Sequence, residues 1–179
     1  MKHLAVLQIA LATAIATAVG GAAQPDDPWS ALRVLVGKWE GPAAGVPGNG
    51  LSTREYRFEL NERFLSEHGK IVWEPKSAAE KAAVHEDFGW FSYDRNLKKI
   101  VWRQFHDEGF VNEYTLDSAS ADGKSLDFVS VRIENIAPGW RAKESFRMLS
   151  ADELEATFWL AAPGKDFEAY VRSHLKRVK

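Results

Sequence analysis

The stretch from Val84 to Leu116 constrains the fold more than any other. It holds three alternating runs, Val84 to Tyr93, Ile100 to His106 and Phe110 to Leu116, separated by Asp94-Arg95-Asn96-Leu97-Lys98 and Asp107-Glu108-Gly109. Short polar loops between alternating runs signal antiparallel hairpins, and Gly109 is placed to take the left-handed conformation of a bulged hairpin loop. Pairing Tyr93 with Lys99 and His106 with Phe110 sets a register by counting. Trp90 then faces Trp102, which faces Tyr114; Phe88 faces Gln104, which faces Asn112; Glu86 faces His106. One face of the sheet becomes a wall of aromatics with Glu86, Gln104, His106 and Asn112 set into it. A packed core carries few such groups, because a buried polar atom without a hydrogen bond costs roughly 1–3 kcal/mol. The face therefore reads as a cavity lining. The opposite face, with His85, Asp87 and Phe91 among its residues, is taken as the outside.

The rest of the chain supplies strands to match. Asp27-Pro28-Trp29 to Val36 starts with a capping residue and a proline and repeats its apolar residues with helical spacing, which predicts one short helix closed by Gly37. Gly37 to Gly41 starts the first strand, and Pro42 to Gly50 reads as a loop rich in proline and glycine. Thr53 to Leu60 places Tyr56, Phe58 and Leu60 on one face and Arg54, Arg57 and Glu59 toward the other. Phe64 to Trp73 answers it; a two-residue loop brings Glu67 to the face of Tyr56, and a three-residue loop brings His68. Further runs follow at Leu126 to Glu134, Trp140 to Leu149, Leu154 to Leu160 and Phe167 to Lys176, joined by turn-forming segments. Pairing Met148 with Leu154 puts Glu144 on the apolar face of Phe146, Ala156, Phe158 and Leu160. The 126–134 strand turns in either Leu126, Phe128, Ser130 and Arg132, or Val129, Val131 and Ile133. The fold class is all-β: a single up-and-down antiparallel barrel of about ten strands with a short N-terminal helix, closed so that no edge is exposed.

Residues 1–23 combine a positive start, an apolar run from Leu4 to Val19 and a small-residue Gly21-Ala22-Ala23 end, the pattern of a secretory signal cut before Gln24. The expected product, residues 24–179, is exported to the periplasm or beyond, soluble and without a stable membrane anchor. The chain has no cysteine, so it folds without disulfides. Removing Lys2 with the leader turns 23 basic residues into 22 against 25 acidic ones, a net charge of −3. That balance argues against nucleic acid or an anionic membrane as partner.

Three motifs carry a resemblance. Gly37-Lys38-Trp39-Glu40-Gly41 resembles the opening glycine-x-tryptophan-x-glycine element of the nitrobindin-like haem-binding β-barrels, within the calycin group of lipocalins and fatty-acid-binding proteins. Val84-His85-Glu86-Asp87-Phe88-Gly89-Trp90 is similar to their histidine-x-acid-x-glycine-aromatic strand, and His68-Gly69-Lys70 sits where they carry a histidine and a glycine-lysine pair. The resemblance implies a ten-stranded barrel whose pocket holds haem b, with a histidine near the end of the last strand on the iron. His174 is the histidine in that place. Alternation sets it with Glu168, Tyr170, Arg172 and Lys176, so a bulge between Val171 and His174 is needed to turn it inward; without one, His106 or another residue would take the iron.

The expected function is binding rather than catalysis, of a small, largely apolar ligand. Phe88, Trp90, Trp102 and Tyr114 would give contact area, and Glu86, Gln104, His106, Asn112 and Glu144 would orient a polar end. Haem b is one ligand; a metal-free lipid or hydrophobic metabolite is another, with Arg132 as its carboxylate partner if that side chain turns in. A haem-dependent enzyme acting on reactive nitrogen species and a ligand-free envelope interaction module are further readings. The runs His85-Glu86-Asp87 and His106-Asp107-Glu108 suggest metal donors, but neighbours on a strand point to opposite faces, so at most two of each run converge.

Overall fold

A computed structural model describes residues 27–179; the predicted signal at 1–23 lies outside the described residues. Ten antiparallel strands, β1 (Gly37–Gly45), β2 (Gly48–Glu59), β3 (Phe64–Trp73), β4 (Val84–Asp94), β5 (Lys99–His106), β6 (Val111–Ala119), β7 (Ser125–Glu134), β8 (Arg141–Ser150), β9 (Glu153–Ala161) and β10 (Glu168–Arg177), follow one another around a closed barrel. Closure is made by β1, which pairs with β2 on one side and β10 on the other. At that seam the strands run so close that a Cβ on Gly41 would overlap the His174 carbonyl oxygen, so only glycine fits there. Trp39, two residues earlier, turns inward and donates its indole N–H to the Leu35 carbonyl (2.7 Å). Arg177 lies over its ring (4.1 Å) while donating to the Val34 and Val36 carbonyls. The glycine-tryptophan-glycine element is thus the closing seam of the barrel.

The expected N-terminal helix is instead a series of turns ending in a 3-10 turn at Arg33–Leu35. Its apolar residues Trp29, Leu32 and Leu35 repeat every three residues, the spacing that stacks side chains on a 3-10 turn rather than spreading them over an α-helical stripe. All three are buried and stop one end of the barrel. Above this plug lies the core, with Tyr56, Leu65, Phe91, Trp102, Tyr114, Phe128 and Phe146 fully buried. Phe91, Trp102 and Tyr114 form one stack, at 4.6 and 4.9 Å between ring centres.

That stack corrects the register of the β4–β5 hairpin. Asp94, not Tyr93, pairs with Lys99, and Phe91, not Trp90, faces Trp102. The loop is one residue shorter than expected because the Asp94 carboxylate accepts the backbone N–H groups of Asn96 and Leu97 (2.8 and 2.9 Å), with Lys98 in the left-handed region. A one-residue slip reverses every side chain of a strand. Asp87, Gly89 and Phe91 therefore point in, and Glu86, Phe88 and Trp90 point out. The β5–β6 register stands as expected, with Trp102 opposite Tyr114 and Gln104 opposite Asn112.

Three other stretches were open or differ. Tyr56 pairs with Glu67, so Glu67 is inside and His68 outside. The supposed loop at 42–50 is mostly strand, with Ala43 paired to Gly50 and Gly45 to Gly48; alternation is invisible there because glycine, alanine and proline have little side chain to alternate. In β7 an extra residue at Val131, where Glu113 pairs Arg132 but Tyr114 pairs Ser130, lets Leu126 and Phe128 point in before it and Ile133 after it. Arg132 is left outside, against Glu134 (2.9 Å). The phase of β4 can be tested directly. Phe91→Ala should cost about 3–5 kcal/mol in urea unfolding, whereas Phe88→Ala, at a residue 43 % exposed, should cost about 0.5 kcal/mol; equal losses would contradict the observed register.

Candidate functional site

The end of the barrel opposite the plug is open. The space between the core stack and this mouth is a cavity of about 340 Å³. Its two sides differ in chemistry. Ile71, Trp73, Ile133, Phe158, Leu160 and Val171 give an apolar wall, while Arg54, Asp87, Gln104, Asn112, Glu144 and Ser173 give polar groups, and His85, His106 and Glu108 stand at the rim.

Of the residues expected to line a pocket, Gln104, His106, Asn112 and Glu144 do so. Trp102 and Tyr114 point inward but lie in the packed stack, fully buried. Glu86, Phe88 and Trp90 are on the outer surface for the register reason given above, and their expected place in the lining is corrected. Glu86 bonds His68 there (2.7 Å), and Phe88 and Trp90 pack edge to face at 5.7 Å. His174 is also outside, opposite Glu155 on β9 and exposed. A bulge does occur in β10, but at Tyr170, between the Ala169–Trp159 and Val171–Phe158 pairs, too early to turn His174. It brings Tyr170 and Val171 both to the cavity, and Ser173 and Leu175 keep the inward phase, so His174 must point out.

The cavity also holds residues that the strand pattern had not placed there. Arg54 is only 8 % exposed. It shares the parity of Tyr56, two residues on, and that parity was the signal for it. Its guanidinium lies 3.5 Å from Glu144 and 3.9 Å from Glu67, and donates to the Tyr56 hydroxyl (3.4 Å). Glu67 is wholly buried; a side chain at Gly89 would overlap the Trp102 indole and press on the Glu67 carboxyl, so β4 carries glycine there. Burial, then the neighbouring Asp87, pushes the Glu67 carboxyl well above its usual range. Burial opposes ionisation of Asp87 too, but hydrogen bonds with His85 and Glu67 and the Arg54 charge outweigh it and hold that carboxyl low. Glu67 is thus the protonated member of the pair and Asp87 the ionised one. Asp87 also accepts from the Gln104 amide (2.8 Å). Burial raises Glu144 as well, against the pull of Arg54. Among the described residues Gln104 Oε1, Asn112 Oδ1 and Glu144 Oε2 have no hydrogen-bond partner, and neither do the Trp102 indole N–H, the Ser52 hydroxyl and His106 Nδ1, so the buried polar side leaves both acceptors and donors unmet.

At the rim His85 reaches Glu108 (2.7 Å, Nδ1 to Oε1) and Asp87 (3.5 Å from Nε2), with Asp107 3.6 Å away. His106 stacks on Phe110 (4.2 Å) and places Nε2 3.1 Å from the Asn112 amide, while its Nδ1 is buried with no partner. The two imidazoles are driven in opposite directions. Burial lowers His85, yet hydrogen bonding to Asp87 and Glu108 raises it from 6.5 to about 9. Burial lowers His106 to about 4, with the positive His85 adding to the effect and Asp87 opposing it. His106 is neutral at physiological pH and His85 is charged.

These shifts predict opposite stability limbs. His85 holds its proton more tightly when folded, so its contribution is complete below 6.5 and lost as pH rises toward 9. His106 resists protonation when folded, so a penalty grows as pH falls from 6.5 toward 4. Thermal unfolding across this range should show His85→Gln flattening the alkaline limb and His106→Gln the acid limb. A variant that flattened the other limb would refute the assignment.

Residues 29–177 match the family described as the THAP4-like, heme-binding beta-barrel domain. The chain belongs to that family. A similar solved structure, Rv2717c from M. tuberculosis, has a TM-score of 0.61 at 18 % identity, over 85 % of this chain and 98 % of that one, a likeness of fold. A protein of unknown function from the DUF3598 family of Nostoc punctiforme covers 85 % of this chain and 99 % of its own at 8 % identity and a TM-score of 0.28, too low to bear on the fold. No curated protein matches the sequence.

Proposed function

We propose that this barrel holds haem b in its cavity, with His106 rather than His174 as the residue that would supply a nitrogen to its iron. The observation that carries the reading is the His106 Nδ1 atom, buried in the cavity wall of a haem-binding-family barrel with no protein partner. A neutral imidazole is the protonation state that binds a metal, and His106 is held in it. The amide of Asn112 lies between His106 Nε2 and the Tyr114 hydroxyl (3.1 and 2.7 Å). In the structure the amide N–H2 faces both and donates to the Tyr114 hydroxyl; a half-turn of the amide would let its oxygen accept from both, fix the proton on Nε2 and leave the Nδ1 lone pair free for iron.

The apolar wall formed by Ile71, Trp73, Phe158 and Val171 suits the flat hydrocarbon surface of a porphyrin, and Tyr170 adds an aromatic edge against Phe158 (5.9 Å). Bound haem would supply an iron centre able to ligate small molecules or pass electrons. The leader-like pattern of residues 1–23 supports export of the chain. A fatty acid is a poorer candidate. Arg132 faces solvent, the inward Arg54 already lies among Glu144, Glu67 and Asp87, and the charged His85 is paired with Glu108 and Asp87, so each of these cations among the described residues is already engaged and a poor partner for an acyl carboxylate.

Haemin titration followed in the Soret region tests the reading. A saturable one-to-one band that persists in His174→Ala and is lost in His106→Ala, with far-UV circular dichroism unchanged, is expected. Loss in His174→Ala, or no band at all, would overturn it.

A further inference from the structure

The mouth of the cavity contains a second arrangement of donors. His85 near the start of β4, His106 at the end of β5 and Glu108 in the loop after it come together across one strand pair, each offering a ligating atom, all within 4.8 Å of one another. Adjacent residues on one strand cannot converge in this way. Here one donor comes from the first histidine run and two from the second, and the β4–β5 register brings them together: Asp87 pairs with His106, which places His85 beside the loop that follows β5.

The surroundings of the two histidines are those of metal ligands. A ligating histidine ordinarily gives its other ring nitrogen to a carboxylate or carbonyl, which fixes the ring and its tautomer. His85 has Asp87 3.5 Å from Nε2, leaving Nδ1 toward Glu108. His106 has the Asn112 amide 3.1 Å from Nε2, leaving Nδ1 buried and unpartnered. Asp87 is itself held by the Gln104 amide at 2.8 Å, so the support extends one layer further into the barrel.

We infer that His85, His106 and Glu108 form a binding site for a divalent transition-metal ion of the zinc class. Two imidazoles and one carboxylate match the preference of such ions for mixed nitrogen and oxygen donors. In binding, the ion takes the place of the proton now shared between His85 and Glu108. Three protein ligands leave a fourth position open, the feature that separates ligand-binding metal centres from closed structural ones. All three donors line the cavity, so an ion held by them would lie at its mouth. A molecule seated against the apolar wall could present a donor atom to it. The inference stands apart from the haem reading, although His106 cannot serve both at once.

The test is isothermal titration of zinc chloride into chelator-stripped protein with no haemin present, so a missing Soret band has no bearing on it and a missing zinc site has none on the Soret band. Saturable one-to-one binding is expected. Glu108→Gln, on an exposed loop where folding is not at risk, and His85→Ala should each weaken it at least tenfold, and Asp87→Asn by about 10–100-fold through the supporting bond. His174→Ala and His68→Ala, which alter histidines on the outer face, should leave it unchanged. Cobalt(II) in place of zinc should give visible bands of a four- or five-coordinate ion that shift when a small ligand such as azide is added to the open position. Absent one-to-one binding, binding retained in both His85→Ala and Glu108→Gln, or binding lost with His174 or His68 would overturn the inference.

Discussion

A sheet of ten strands becomes a container only if its first and last strands hydrogen-bond to each other, and everything else in this molecule depends on that seam. The demand is steric before it is energetic: β1 must approach the backbone of β10 so closely that Gly41 can carry no side chain. Once the ring is closed, every strand has two neighbours and a defined inside. The Trp39–Arg177 pair then ties β1 to β10 beside the plug, where Trp29, Leu32 and Leu35 exclude water from that end.

Inside the ring, charge is arranged around Arg54. A guanidinium in so dry a place is tolerable only with anionic company, and Glu144, Glu67 and Asp87 provide it. Three carboxyls around one cation would be too many were all ionised. The excess is relieved by protonation of Glu67 and by the positive charge on His85. The polar half of the cavity is therefore one coupled system that reaches from the core to the rim.

The architecture was legible in the sequence because strand number and closure depend on turns and alternation, which local residues report. The inward faces of β5, β6, β8 and β9 could be counted from their hairpins, and so Gln104, Asn112 and Glu144 were found. What failed was phase, where one residue decides everything. Asp94 shortened the β4 turn by satisfying two backbone N–H groups itself, and this sent Glu86, Phe88 and Trp90 out and Asp87 and His85 in. Arg54 was missed for a different reason: a charged residue was assigned outward against its own parity. The convergence of His85, His106 and Glu108 could not be read locally, since it arises between strands.

The stack of Phe91, Trp102 and Tyr114 runs across the barrel like a bulkhead. Toward the plug the residues answer only to packing; toward the mouth they answer to whatever occupies the cavity. Changes in the apolar wall of the upper compartment need not disturb the lower one, which the polar side touches through Tyr56 and Tyr114. Such a barrel can exchange its cargo over evolutionary time, or at an engineer's bench, without renegotiating how it folds.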